Sequence, residues 1–149
     1  MLKTRRFGYD GKGQTRIAER TSPVAAWAEI GKAPAILEGF ISFGTEISVI
    51  AARGWDGAIA VYDVPENIHE NHILKTSTVP ADIAGETAEA AREMARTIIG
   101  ALDYVGVMGI EMFVSGTSLI VNEIAPRVHN SGHWTQDACV VSQFEQHIR

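Results

Sequence analysis

The residues able to do chemistry crowd into one stretch. "NEIAPRVHNSGHWTQ", Asn122 to Gln136, carries an acid, an arginine, two histidines, amides and a tryptophan directly after the apolar "LIV" of 119–121. A second acid, Glu111, interrupts the apolar run "VGVMGIEMFV" upstream. Alternate residues of a strand share a face, so Glu111 points with Val107, Gly109 and Phe113, and Glu123 with Leu119 and Val121. A three-residue turn centred near Thr117 sets Glu111 across from Glu123, whereas a turn shifted by one residue would put Asn122 there. Two carboxylates about 5 Å apart repel by about 3 kcal/mol at an effective dielectric of about 20. A shared proton would compensate. So would a divalent cation, and Asn122 with the flanking glycines suggests an oxygen-rich pocket with room for one. Hard oxygen ligands suit Mg²⁺, which keeps further positions for phosphate oxygens. The plainer reading leaves one glutamate at a strand end in solvent and pairs the other with an arginine.

A second group lies near the start. "GYDGKGQ" sets Gly8, Gly11 and Gly13 around Asp10 and Lys12, offering backbone N–H groups that an anion can approach because no Cβ intervenes. The spacing is neither of the two common glycine-rich phosphate fingerprints, and the loop joins two strands where those lead into a helix. Lys3 and Arg5 occupy alternate positions on the strand feeding the loop, so both could face whatever it covers. A mobile turn and a solvated strand edge are the plain alternatives.

These residues need elements to hold them. The 149 residues, 46% hydrophobic, suffice for one domain with its own core. A net charge of −5 gives no basic surplus for nucleic acid or an anionic membrane. Cys139 is the single cysteine, which excludes an internal disulfide or a thiolate zinc cluster and fits a reducing cytosol. No apolar run approaches the roughly 18 residues of a membrane span, and the N-terminus lacks a signal-peptide core. The expectation is a soluble cytoplasmic protein.

The pattern predicts an opening hairpin with a glycine-rich tip, then a helix from Pro23 to near Gly31 capped by Ser22. "AILEGFI", "EISVIAARG" and "AIAVYDV" read as strands, the last two joined at Trp55-Asp56-Gly57. "PENIHENH" reads as a loop before a strand near Ile73 to Val79. Asp82 is placed to cap a helix to about Leu102, with Ala84, Ala88, Ala91, Ala95, Ile98 and Leu102 on one face. A final hairpin turns at Ser115-Gly116-Thr117. A helix follows from Thr135, with Ala138, Val141, Phe144 and Ile148 at helical spacing. The class is α+β, divided between the unit at 1–37 and the sheet at 38–149.

"RRFGYDGKGQ", "EISVIAARG", "YVGVMGIEMFV" and "NEIAPRVHNSGHWTQ", in this order and at these intervals, resemble the ATP-grasp superfamily and within it the 5-(carboxyamino)imidazole ribonucleotide synthase family. The resemblance spans nearly the whole chain, and "RVHNSGHWT" is its most specific part. It implies a partial ATP-grasp fold, with an antiparallel or mixed sheet and packed helices. It also implies ATP-dependent carboxylation of 5-aminoimidazole ribonucleotide with bicarbonate, through carboxyphosphate, in purine biosynthesis. Relative to the family pattern, the N-terminal nucleotide-fold domain, the first part of the small lobe and the C-terminal domain are missing. The alternatives are a nucleotide-binding module without activity of its own and another ATP-grasp carboxylase.

By that resemblance, Lys3 holds ATP phosphate, and Gly8, Tyr9, Asp10, Gly11, Lys12, Gly13 and Gln14 form a flap over the triphosphate. Glu38, Gly39, Phe40 and Ile41 match the strand whose backbone reads the adenine edge. Glu46 would accept from ribose hydroxyls and His69 matches a further nucleotide position, although a lone loop histidine is commonly just solvated. Glu111 and Glu123 match the Mg²⁺ ligands, with Asn122 alongside. Arg127, His129 and Asn130 would grip carboxyphosphate and orient the aminoimidazole nucleotide. An amine nucleophile needs positioning more than a base, so the role of His129 stays open. Trp134 is expected to pack the following helix and His133 to serve equally well as its cap. A homodimer of the parent protein is compatible with the resemblance.

Overall fold

A computed structural model describes residues 1–8 and 11–149, and these form two compact units. The first comprises Met1–Ser42 with Glu70–Ile73, and the second Phe43–His69 with Leu74–Arg149. Among the described residues no helix is long and apolar enough to cross a membrane.

In the first unit, β1 (Leu2–Thr4) pairs antiparallel with β2 (Gln14–Thr15) on one side and β3 (Ala35–Leu37) on the other. The opening hairpin is therefore present. The predicted first helix is present too, as α1 (Pro23–Glu29), with the Ser22 hydroxyl accepting from the Ala25 N–H. The "AILEGFI" strand is shorter than its composition predicts. After Leu37, Glu38 still exchanges backbone hydrogen bonds with Met1, but 39–41 have no strand to pair with and leave the ladder.

In the second unit, β4 (Thr45–Arg53) is central. Around it lie β5 (Ile59–Val61), β6 (Glu66–Glu70), β7 (Ile73–Thr78), β8 (Gly106–Ser115) and β9 (Ser118–Ala125). The strand order is β7-β6-β4-β8-β9, with β5 also paired to β4. The predicted "PENIHENH" loop is instead mostly β6. Its polar side chains hid the strand, because Asn67 is buried yet spends its amide on hydrogen bonds rather than apolar packing.

Helix α2 (Gly85–Ala101) covers one face of this sheet. Ile47, Val49 and Ala51 of β4, with Met108, Ile110 and Met112 of β8, pack against Ala91, Ala95 and Ile99 in a solvent-free core. Small alanines let the helix lie close to the strands. Asp82 does not cap α2: the helix starts three residues later, its N-cap Ala84 makes no side-chain bond, and the intervening Ile83 is drawn against the core. Leu102, expected on the buried face, is 53% exposed beyond the helix end.

The tail is likewise not one helix. A single 3₁₀ turn (Asn130–Gly132) precedes α3 (Thr135–Ala138), an extended Cys139 breaks the run, and α4 (Gln143–Ile148) begins afresh under a Ser142 cap. The break turns Gln143 inward, where it is fully buried, and leaves Val140 fully exposed. With α2 on one face of the sheet, the opposite face of β4 and β8 carries a second apolar cluster of Ile50, Ala52 and Val107, with Glu46, Ser48 and Glu111 beside it.

Candidate functional site

On that opposite face Ser48 of β4 pairs with Glu111 of β8, and Glu111 with Glu123 of β9. The two acids face each other by an unexpected route. Ser115 pairs with Ser118, so the turn has two residues, and a regular ladder would continue through Met112↔Val121 to set Asn122 opposite Glu111. A bulge between Glu111 and Met112 in the ladder absorbs Asn122 as an extra residue and brings Glu123 into place. It also reverses the alternation. Leu119 and Val121 pair with Val114 and Met112 on the α2 face, so they do not share the face of Glu123 as strict alternation predicts.

Burial, followed by the charge of Glu123, pushes the Glu111 carboxyl up to about 7; Glu46 adds to the rise, while His69 and Arg127 oppose it. A group poised this way calls for a proton or a cation. Among the described residues no set of three or more His, Cys, Asp or Glu side chains could hold a metal as a cage. A metal held by Glu111 and Glu123 would therefore take its remaining ligands from outside these side chains, which fits Mg²⁺ completed by water and phosphate oxygens. Beside them, Glu46 Oε2 lies 2.8 Å from His69 Nδ1. His69 sits at the end of β6 as a paired residue and is not the solvated loop histidine that spacing suggested. Phe113, opposite Glu46, stacks on Phe43 at 4.2 Å.

His129 leaves β9 and folds back over β8. A Cβ at Gly109 would lie 2.7 Å from His129 Cβ, so only glycine allows the ring this seat. Gln143 clamps the His129 backbone, its Oε1 accepting from the N–H at 2.9 Å and its Nε2 donating to the carbonyl at 2.6 Å. The ring then points Nε2 at Glu111 Oε1, 3.6 Å away. Burial, followed by the charge of Arg127, lowers its pKa to about 4, so the imidazole is neutral at physiological pH. Its Nδ1 meets Ser131 Oγ at 2.9 Å. Arg127 is exposed and donates to the Val128 carbonyl, and Asn130 is exposed with Oδ1 accepting from the Ser131 N–H. Trp134 packs edge-on to Tyr62, which follows β5, where the following helix was the expected partner. His133 does not cap α3; it lies tilted against Phe144.

Ser48, Asn67, Ser131 and Gln143 escaped the sequence reading. Only Ser48 left a signal, as a lone hydroxyl inside the apolar "EISVIAA".

In the first unit, Lys3 Nζ makes a 2.7 Å ion pair with Glu38 Oε2, and Gln14 stands opposite Lys3 in the ladder. Gly8 lies against the Lys12 carbonyl, Gly11 against the His72 ring, and Gly13 against the Thr4 hydroxyl. A Cβ at Gly11 would come within 2.5 Å of that ring, at a backbone φ of +73°. Lys12 is exposed. Tyr9 and Asp10 lie outside the described residues. Gly39 and Phe40 are exposed, Ile41 is half-buried, and the Arg16 guanidinium sits 4.4 Å above the Phe40 ring.

Comparison with known proteins extends this picture. The model of the ATP-grasp domain family matches residues 1–144. N5-carboxyaminoimidazole ribonucleotide synthase of Brucella melitensis biotype 1 is 61% identical over all of this chain, which spans 42% of that relative's length. A crystal structure of an N5-carboxyaminoimidazole ribonucleotide synthetase in complex with ADP superposes with a TM-score of 0.92 at 45% identity, covering 99% of this chain and 40% of the other. The Aspergillus clavatus N5-carboxyaminoimidazole synthase, in complex with ADP and 5-aminoimidazole ribonucleotide, gives a TM-score of 0.90 at 32% identity, covering 100% of this chain and 39% of the other.

Proposed function

The chain belongs to the ATP-grasp domain family, and from that premise we propose that the protein carrying it converts ATP, bicarbonate and 5-aminoimidazole ribonucleotide into ADP, phosphate and N5-carboxyaminoimidazole ribonucleotide. The observation that carries the reading is the Glu111–Glu123 pair, set opposite by the bulge and bordered by a neutral His129. The names of the relatives supply the substrate.

In this reading a bicarbonate oxygen attacks the γ-phosphorus of ATP and the bond to the bridging oxygen breaks, releasing ADP. The exocyclic amine then attacks the carboxyl carbon of carboxyphosphate. The carbon–oxygen bond to phosphorus breaks, phosphate leaves with the electron pair, and the nitrogen gives up one proton. Glu111 and Glu123 would hold Mg²⁺, with Asn122 beside them. Bound there, the ion would neutralise charge building on the phosphoryl oxygens.

The chain's own residues bind and orient. We assign Lys3 and the 8–14 loop to the phosphates, the backbone at 38–41 to adenine, and Glu46 with His69 to the nucleotide. Arg127, His129 and Asn130 are assigned to the carboxyl donor and acceptor. On the same reading residues 1–37 are part of the small lobe and 38–149 the large lobe of a cytoplasmic enzyme, homodimeric as a whole protein.

The test is ADP release by the full-length protein. It should depend on both bicarbonate and 5-aminoimidazole ribonucleotide. Equal turnover with biotin or an unrelated amine would assign the chain to a different ATP-grasp carboxylase.

A further inference from the structure

The His129 ring stands at the end of a chain of hydrogen bonds that starts on the β6–β7 strands. The Ser77 hydroxyl donates to Asn67 Oδ1 at 2.7 Å, and Asn67 Nδ2 donates to Ser48 Oγ at 3.0 Å. Ser48 Oγ donates to Ser131 Oγ at 2.8 Å, and Ser131 Oγ meets His129 Nδ1 at 2.9 Å. Ser48, Asn67, Ser131 and His129 are all buried. Solvent therefore cannot substitute for a missing partner.

The direction of this chain is set at its His129 end. The Ser131 hydroxyl, having accepted from Ser48, is free to rotate and suits either ring tautomer. One donor cannot rotate: the backbone N–H of Ser131, shared with Asn130 Oδ1 at 3.0 Å, also faces Nδ1, at 3.4 Å. A proton on Nδ1 would oppose this N–H, whereas a bare Nδ1 accepts from it and from the Ser131 hydroxyl together. Nδ1 is therefore bare and the ring proton sits on Nε2, the nitrogen that faces the Glu111 carboxylate.

We propose that Ser48, Asn67, Ser77 and Ser131 are positioning residues that lock His129 in the Nε2–H tautomer, so that its catalytic contribution is a hydrogen bond donated to an anionic oxygen. In the carboxylation reading, on which this role rests, the ring then steadies the carboxyl donor's oxygen and does not take the proton from the attacking amine. The tautomer itself follows from the hydrogen bonds alone. The Gly109 seat and the Gln143 clamp hold the ring where the chain can reach it.

The full-length protein, labelled with ¹⁵N in histidine, tests both parts. Without substrate, the His129 Nδ1 should give the signal of an unprotonated ring nitrogen and Nε2 that of a protonated one. Ser131→Ala should draw the two signals together and lower kcat about tenfold, with the Kd for ATP unchanged. Ser77→Ala, at the far and less buried end, should move both readouts the same way by a smaller factor. A wild-type spectrum with the proton on Nδ1, or with averaged ring nitrogens, overturns the proposal without need of any variant. So does Ser131→Ala with an unaltered spectrum and kcat. The expected spectrum in a protein that does not turn over 5-aminoimidazole ribonucleotide would support the tautomer and overturn the carboxylation reading instead.

Discussion

Glu111 and Glu123 stand opposite each other because Asn122 is an extra residue in its strand. Without that bulge the two-residue turn would pair Glu111 with an amide, and Glu123 would face α2. The pairing therefore concentrates two negative charges where the local backbone alone would not have put them. On the proposed reading, a divalent cation between the two carboxylates offsets that repulsion.

The first consequence concerns titration. Glu123→Gln removes the second-largest cause of the raised Glu111 pKa while leaving burial, the largest, in place. The Glu111 midpoint should fall from about 7 without returning fully to the ordinary carboxylate range. Carboxyl NMR of the metal-free protein reads this directly; an unmoved midpoint would mean that the two acids do not interact.

Stability against pH follows from two opposed shifts. Glu111 holds its proton more tightly when folded, so its contribution is present below about pH 4.5 and is lost as pH rises through about 7. His129 is the reverse: its contribution is present above about 6.5 and is lost as pH falls through about 4. Each amounts to something on the order of 3 kcal/mol, and they offset one another between about pH 4.5 and 6.5. Denaturant unfolding should find the metal-free wild type nearly flat across that window, whereas Glu111→Gln should gain stability steadily as pH rises. Parallel curves for the two proteins would refute the assignment.

Gly109→Ala asks whether the His129 seat matters. Its new Cβ would sit 2.7 Å from His129 Cβ and 2.9 Å from Cγ, so the loop must move. We expect a loss of about 1–3 kcal/mol in unfolding free energy. Turnover in the full-length protein should fall much more than ATP affinity, since the side chain displaced is His129, which the proposed function assigns to the carboxyl donor and acceptor. ATP binding lost in step with turnover would show that the loop and the nucleotide site are one unit.

Much of this was legible in the residues. The short apolar runs "EISVIAA" and "GVMGIEMFV" foretold β4 and β8, which are buried on successive residues, and the alanine stripe foretold α2, which buries one face. What escaped was set by polar contacts across long sequence separations. Asn67 makes β6 a strand by bonding to Ser48 and Ser77, and Gln143 breaks the tail helix by reaching 14 residues back to His129. Neither follows any hydrophobic period. The Glu111–Glu123 pairing was anticipated, but through a three-residue turn; a two-residue turn and a bulge gave the same alignment, and only the register separates the two routes.

The central claim is that these two carboxylates share one divalent ion beside bound nucleotide. Mn²⁺, whose free aqueous form gives an electron paramagnetic resonance signal, can be titrated into the full-length protein saturated with ADP. The account predicts one tightly held ion per chain, with at least about tenfold weaker binding in both Glu111→Gln and Glu123→Gln. Undiminished Mn²⁺ affinity in either variant, with the protein folded and ADP bound, would contradict it.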